Sequence, residues 1–253
     1  MVKRLTILAA CACRHPEPAP PDLEGEVLYF WSTFDQGGDD WPEHVDVFDD
    51  LIAEETIEIP SDGTLKSLDS ADVDDLAPGN DPSTASGLFI ANEFDCSIAD
   101  LRAILSYPDQ LALYPSNYDT YVRTFQQSRS EWLSGDIERL DADVEYDTTV
   151  LGAEYSAAPK VAFRRFDDAV VSRVVMPEPA EFESGNKSIT QDYQLEVYWA
   201  VGGKIRHIYG FWRDADFGGA FVDESATVQT LVVDGLFDWD DVTEQWCADG
   251  LPE

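Results

Sequence analysis

The sequence predicts an α+β fold in which a curved antiparallel sheet wraps around a long C-terminal helix. Three observations predict it. The segment beginning at Gly87 opens with a strand that runs into a capped helix. It closes with one amphipathic helix over about 223–247. Nearly everything between reads as antiparallel strands. A sheet with a helix at each end of its sequence can curl around the last helix and leave a cavity between them.

Residues 1–24 read as a leader and tether, 25–86 as an N-terminal extension or added strands, and 87–253 as the main domain. Residues 15–24 form a Pro-rich acidic spacer, extended and solvated. Residues 26–35 are dense in aromatic and β-forming residues and predict a strand. Residues 41–53 predict a short helix: Pro42 suits its first turn, and Val45, Phe48, Leu51 and Ile52 keep helical spacing. Residues 54–67 predict a strand pair about the turn at Pro60 to Gly63, and 68–86 an irregular acidic loop.

From Gly87 the signals sharpen. Residues 88–94 predict a strand. Ser97 is an N-cap with Asp100 three residues on, and Ile98, Leu101, Ile104 and Leu105 make one apolar helical face that Pro108 ends. Residues 107–121 predict a second short helix and turn. Strands follow near 122–129, 137–150, 153–166 and 169–176.

The clearest hairpin spans 191–212 about Gly202-Gly203, a two-residue loop suited to a type I′ or II′ turn. That register pairs Ala200 with Ile205, Trp199 with Arg206, Tyr198 with His207 and Val197 with Ile208. One face then carries Tyr193, Leu195, Val197, Trp199, Arg206, Ile208 and Trp212. The other carries Gln194, Glu196, Tyr198, His207, Tyr209 and Phe211. The first face is the more apolar and is assigned to the core. The final helix is N-capped by Asp223, and Val228, Leu231, Val232, Gly235, Trp239, Val242 and Trp246 form its apolar stripe. Gly235 in mid-helix costs about 1 kcal/mol relative to Ala. Close helix–sheet contact, a kink, or room for a ligand would each explain it.

The chain has 253 residues, 44% apolar and 12% aromatic, enough for a sizeable core. Its 51 acidic residues against 16 Lys and Arg give a formal charge of −35. That field repels nucleic-acid phosphates and anionic membrane surfaces, which excludes nucleic-acid binding. It fits a solvated surface adapted to a salty habitat, or docking of a basic protein partner. The acidic run from Asp214 lacks EF-hand chemistry, since Gly218 and Ser225 stand at its fifth and twelfth positions. His15, His44 and His207 are the only histidines, so no His-rich metal site is expected. There is no Gly-x-Ser-x-Gly elbow, P-loop or dinucleotide fingerprint, and no cofactor is expected.

The N-terminus has a basic start, an apolar stretch and small residues before Cys11, the outline of a secretory signal. Leu8-Ala9-Ala10-Cys11 resembles the bacterial lipobox, which implies cleavage before Cys11 and lipid attachment to it. The expected location is the cell envelope, with membrane contact through that anchor alone, or the medium. No apolar run is long enough to cross a bilayer. Cys96 and Cys247 stand at opposite ends of the main domain. In an oxidising compartment they could close a very long disulfide loop; in a reducing one they are two small buried hydrophobes.

Strand, two helices, a run of antiparallel strands and a long last helix together resemble the helix-grip fold of the START and polyketide-cyclase-like (Bet v 1-like, SRPBCC) superfamily. Residues 88–105 and 193–247 carry the resemblance. It implies an apolar cavity between sheet and last helix that takes a sterol, phospholipid or other hydrophobic molecule. The expected cavity wall is Leu195, Val197, Trp199, Arg206, Ile208 and Trp212 on the sheet, faced by Val228, Leu231, Val232 and Trp239 on the helix. Arg206 either reaches into the cavity to meet a head group or an acidic side chain, or lies at the sheet end with its stem on Trp199. Two other functions stay open. One is a cyclase- or hydrolase-type enzyme using the same cavity, with His207 or an acid as base. The other is an acidic interaction module with a solid core.

Overall fold

A computed structural model describes residues 22–54, 56–150, 152–183, 187–216 and 224–252, with the backbone alone at 150, 153 and 224–229. The leader with Cys11, the tether up to residue 21 and the Asp223 cap lie outside the described residues.

Two helices come first, α1 (Leu23–Thr33) and α2 (Trp41–Ala53), and then a strand, β1 (Ser61–Leu65). A one-turn helix, α3 (Ser70–Val73), and a 3-10 turn at Pro82–Thr84 lead to β2 (Ser86–Phe94). Next come α4 (Ile98–Leu105), α5 (Gln110–Leu113), β3 (Thr120–Phe125) and α6 (Arg129–Ser134). The strands β4 (Arg139–Val150), β5 (Ala153–Ala157), β6 (Lys160–Phe166), β7 (Ala169–Val175), β8 (Glu181–Phe182), β9 (Ser188–Val201) and β10 (Lys204–Asp216) precede the last helix, α7 (Glu224–Asp249).

All pairings in the sheet are antiparallel, in the order β1-β2-β10-β9-β7-β6-β4-β5-β8, with β3 also on β4. The β9–β10 hairpin has the register read from Gly202-Gly203: Trp199 opposite Arg206, Tyr198 opposite His207 and Val197 opposite Ile208. Both glycines have positive φ, as a primed turn requires. The expected strand over 153–166 is two strands, β5 and β6, parted near Pro159. At α4, the Ser97 hydroxyl accepts from the Asp100 amide at 3.1 Å and donates to the Asp100 carboxylate at 2.6 Å.

Residues 26–33 are helical, where a strand over 26–35 was expected. Asp22 Oδ1 accepts from the Gly25 amide at 2.7 Å and starts α1 inside the expected tether. Val27, Phe30, Trp31 and Phe34 then fall on one face at spacings of three and four, each 0–1% exposed. Tertiary burial of that stripe overrides the β-propensity of its aromatic residues. The extension contributes one strand, since β1 pairs only with β2; the strand pair expected over 54–67 is absent from the described residues.

These helices lie against the outer face of the sheet. Trp31 packs edge-on to Trp212 with centroids 5.6 Å apart, and Phe48 stacks on Trp199 at 5.6 Å. The inner face is closed at one end by α4 and α6 over Leu101, Trp132, Leu140 and Phe163. Along the rest of it runs α7. Val233 packs on Leu88 and Ile90, Trp239 stacks on Tyr114 at 3.8 Å, and the Trp246 indole donates to the Leu113 carbonyl at 2.9 Å. A disulfide joins Cys96, just after β2, to Cys247 on α7, with Cα atoms 5.3 Å apart.

Candidate functional site

Between α7 and the inner face of the sheet lies a cleft of about 430 Å³. That volume is in the range of small-molecule sites. From α7, Leu231, Val232, Gly235, Leu236, Trp239 and Asp240 line it. Leu231 is 48% exposed. A Cβ placed on Gly235 would meet no atom within 4 Å, so neither close helix–sheet contact nor crowding explains this glycine.

The sheet contributes Gln194, Glu196, His207, Tyr209, Phe211 and Arg213 from β9 and β10. These belong to the hairpin face that was not expected to meet the last helix. Leu195, Val197, Ile208 and Trp212, expected as cavity wall, are buried on the outer face against α1 and α2. Trp199 and Arg206 go with them. The Trp199 indole donates to Asp49 Oδ1 at 2.8 Å, and Arg206 Nη1 donates to the same oxygen at 2.6 Å. Arg206 Nε also donates to Glu93 at 3.1 Å, so Arg206 meets acidic side chains of its own chain, outside the cleft. The reason for the reversal is physical. The more apolar face is the one that α1 and α2 cover as packed core, with its Arg206 paired to Asp49 and Glu93, whereas the cleft wall keeps the more polar face. Of the helix residues expected there, Leu231, Val232 and Trp239 line the cleft, and the side chain of Val228 lies outside the description.

Two polar clusters sit in the wall. At one, His207 is 2% exposed, stacks on Tyr198 at 3.9 Å and has the Tyr209 ring centroid at 5.8 Å. Its Nδ1 lies 3.0 and 3.1 Å from the oxygens of Asp240, which is 1% exposed and also accepts from Asn92 Nδ2 at 2.9 Å. Facing an ionised carboxylate, which only accepts, Nδ1 is the ring nitrogen placed to donate. Nε2 is buried without a hydrogen-bond partner among the described residues, and Glu196 Oε2 stands 3.9 Å from it. Glu196 accepts from the Tyr198 hydroxyl and, at 3.4 Å, from the Ser172 hydroxyl. Burial raises the Glu196 carboxyl above its ordinary range, against the opposing pull of His207 and the Tyr198 hydroxyl.

At the other cluster, Arg213 Nε donates to Asp192 Oδ2 at 2.9 Å and the guanidinium lies over Phe211 at 4.5 Å. Burial pulls the Arg213 pKa down, but Asp192 holds it above its usual value. Tyr118, Tyr121, Tyr146 and Tyr155 complete an aromatic wall, and burial pushes all four phenols up, so they stay protonated at neutral pH.

Sequence reasoning placed His207, Glu196 and Tyr198 together but assigned the opposite face of the hairpin to the core. Asp240 gave no signal, standing among Asp234, Asp238 and Asp241 on an acidic helix. The aromatic residues Tyr209 and Phe211 on the face not assigned to the core were the available clue. No group of metal-ligating side chains stands together among the described residues. His44 pairs with Glu26 at 2.6 Å and stacks on Tyr29 in the N-terminal layer.

No family model matches the chain, and no curated protein matches it in sequence. Solved structures do share its outline. Human StAR-related lipid transfer protein 5 is 6% identical, with 80% of this chain and 95% of that one covered at a TM-score of 0.47. A Thermus thermophilus protein is 10% identical, covering 65% and 98% at 0.46. A START superfamily protein from Mycobacterium smegmatis is 9% identical, covering 64% and 97% at 0.43. In its own element order, β2, two helices, antiparallel strands and then α7 against the inner face of the sheet, the segment from Ser86 to Asp249 has a helix-grip architecture.

Proposed function

We propose that the chain binds or carries a hydrophobic, lipid-like small molecule in the cleft under α7. One observation carries the reading. The middle of α7 turns Leu231, Val232 and Gly235 to the cleft, with Leu231 half-exposed and Gly235 adding no side chain. An apolar helix stripe held off the sheet in this way is a wall that a ligand can complete. Export with a lipid anchor on Cys11 belongs to the same proposal. The motif at residues 8–11 supports it, and so does the Cys96–Cys247 disulfide, which needs an oxidising compartment. The acidic charge supports docking of a basic protein partner, for which strongly salt-dependent association is the test.

Native mass spectrometry of the protein purified from a lipid-rich host, followed by solvent extraction, tests the binding. A co-purifying hydrophobic species of defined mass that is missing from Gly235→Leu is expected. A clean apo mass, with no uptake from a lipid mixture, would overturn the proposal.

The His207–Asp240 couple favours a second reading, acid–base catalysis in the same cleft. An imidazole oriented by a carboxylate, with its other nitrogen unpartnered, is suited to move a proton. Turnover with a pH limb in the histidine range, abolished in His207→Gln, would establish it. Ligand uptake without turnover would return the couple to binding alone.

A further inference from the structure

The polar floor of the cleft specifies a feature of the ligand. We propose that the ligand carries a hydroxyl group, alcohol or phenol, which docks between His207 Nε2 and Glu196 Oε2. The proposal rests on the binding reading above and deepens it.

The two atoms are 3.9 Å apart, too far to bond to each other. An oxygen at the usual ~2.8 Å from both would sit about 2 Å off the line joining them, so one ligand atom can satisfy the pair. His207 is free to do this only through Nε2, because Nδ1 is committed to Asp240. The ring stacks on Tyr198 at 3.9 Å and is tied through Nδ1 to Asp240, so Nε2 is held in place before a ligand arrives. Glu196 already accepts from Tyr198 and Ser172, yet a carboxylate has about four lone-pair sites, and 15% of this side chain remains exposed.

The chemistry of the two partners selects the hydroxyl. With a neutral ring, Nε2 accepts; with a charged ring, it donates. A hydroxyl both donates and accepts: with a charged ring it accepts from Nε2 and donates to an ionised Glu196, and with a neutral ring it donates to Nε2 and accepts from a protonated Glu196, so it serves the pair whenever the two groups hold one proton between them. A ligand carbonyl accepts from Nε2 alone and does nothing for an ionised Glu196. A ligand carboxylate would face Glu196 and, behind the imidazole, Asp240. An ammonium matches only the neutral ring. The surrounding wall of Tyr146, Tyr155, Phe163 and Trp239 suits an apolar or aromatic body behind that hydroxyl.

A matched set of probes tests this by equilibrium dialysis against the whole folded chain at neutral pH. The set is 2-methylnaphthalene, 2-naphthol and 2-naphthylmethylamine. We expect 2-naphthol to bind about tenfold or more tightly than its methyl isostere, as a hydrogen bond to a charged group implies. That preference should largely vanish in Glu196→Met, and in His207→Phe, which keeps the aromatic stack. The probe comparison on the unaltered protein needs neither variant to fold. Equal binding of 2-naphthol and 2-methylnaphthalene would overturn the hydroxyl site while leaving the cleft a binding site. Tightest binding of the amine would overturn it in favour of a cation site. Binding of no probe, or binding indifferent to Gly235→Leu, would overturn the cleft reading itself.

Discussion

His207 Nδ1 on β10 lies 3.0 Å from Asp240 Oδ1 on α7, and both side chains are almost wholly buried. The contact ties the last helix to the sheet at the floor of the cleft. Removing one partner leaves the other buried and unpaired, which costs more than the bond itself contributes. Asp240→Ala should therefore lower stability by about 3 kcal/mol. Urea denaturation followed by tryptophan fluorescence reads this directly. A change within about 0.5 kcal/mol would mean that α7 is held without the couple.

Trp199 separates the two faces of the sheet. It is 3% exposed, stacks on Phe48 and bonds Asp49, all on the outer side. Trp199→Ala should cost about 3–5 kcal/mol of stability. The affinity of the folded fraction for an apolar ligand should stay unchanged. A loss of affinity larger than the loss of stability would put Trp199 back in the cavity wall.

Gly235 can be varied in two directions. Gly235→Ala should raise stability by about 0.5–1 kcal/mol, because the helix gains propensity and a Cβ there meets nothing within 4 Å. Thermal unfolding of this variant checks the sign. A lower Tm than the unaltered chain would show that the backbone at Gly235 needs glycine for its own sake.

The raised pKa of Glu196 makes stability depend on pH. Its folded value lies above the ordinary 4.5, so the folded state holds the proton more tightly than the unfolded one. The resulting stabilisation is complete below 4.5 and is lost as pH rises through the folded value. Glu196→Gln removes this titration. Its stability relative to the unaltered chain should therefore improve from pH 4.5 until the folded value is passed, and then level off. Denaturant midpoints of both proteins across that range measure it, and parallel curves would show that Glu196 does not titrate differently on folding.

The disulfide closes a loop of 151 residues and pins the end of α7 near the end of β2. Replacing Cys96 and Cys247 by Ser should cost about 4 kcal/mol, mainly through the freer unfolded chain. A denaturant titration with and without reductant gives the same quantity independently. Equal midpoints would show that the bond adds nothing to stability.

What the sequence made legible was local. The Gly202-Gly203 turn sets the β9–β10 register, Ser97 starts α4, and Pro42 with Val45, Phe48 and Leu51 marks α2. Each signal is complete within a dozen residues. The helix α1 was missed because Tyr29, Phe30 and Trp31 favour strands, although the 27, 30, 31, 34 spacing was present. The cleft wall was reversed for a different reason. Alternation along β9 and β10 sorts residues into two faces, but which layer covers a face depends on segments far away in sequence. Here α1 and α2 take the more apolar face as solid core. That leaves Glu196, His207 and Tyr209 to the cleft. Asp240 could be found only in three dimensions, since nothing along α7 distinguishes it from its acidic neighbours.

The measurement that decides most is the affinity of one neutral fluorescent probe, N-phenyl-1-naphthylamine, for the unaltered chain, Gly235→Leu and Trp199→Phe. The Leu side chain enters the cleft from α7 without meeting protein atoms near its Cβ. Affinity should fall more than about tenfold in Gly235→Leu and hold within about twofold in Trp199→Phe, if the ligand lies on the His207 side of the sheet. Binding that survives Gly235→Leu and is lost in Trp199→Phe would place the ligand on the opposite face and contradict a cleft under α7.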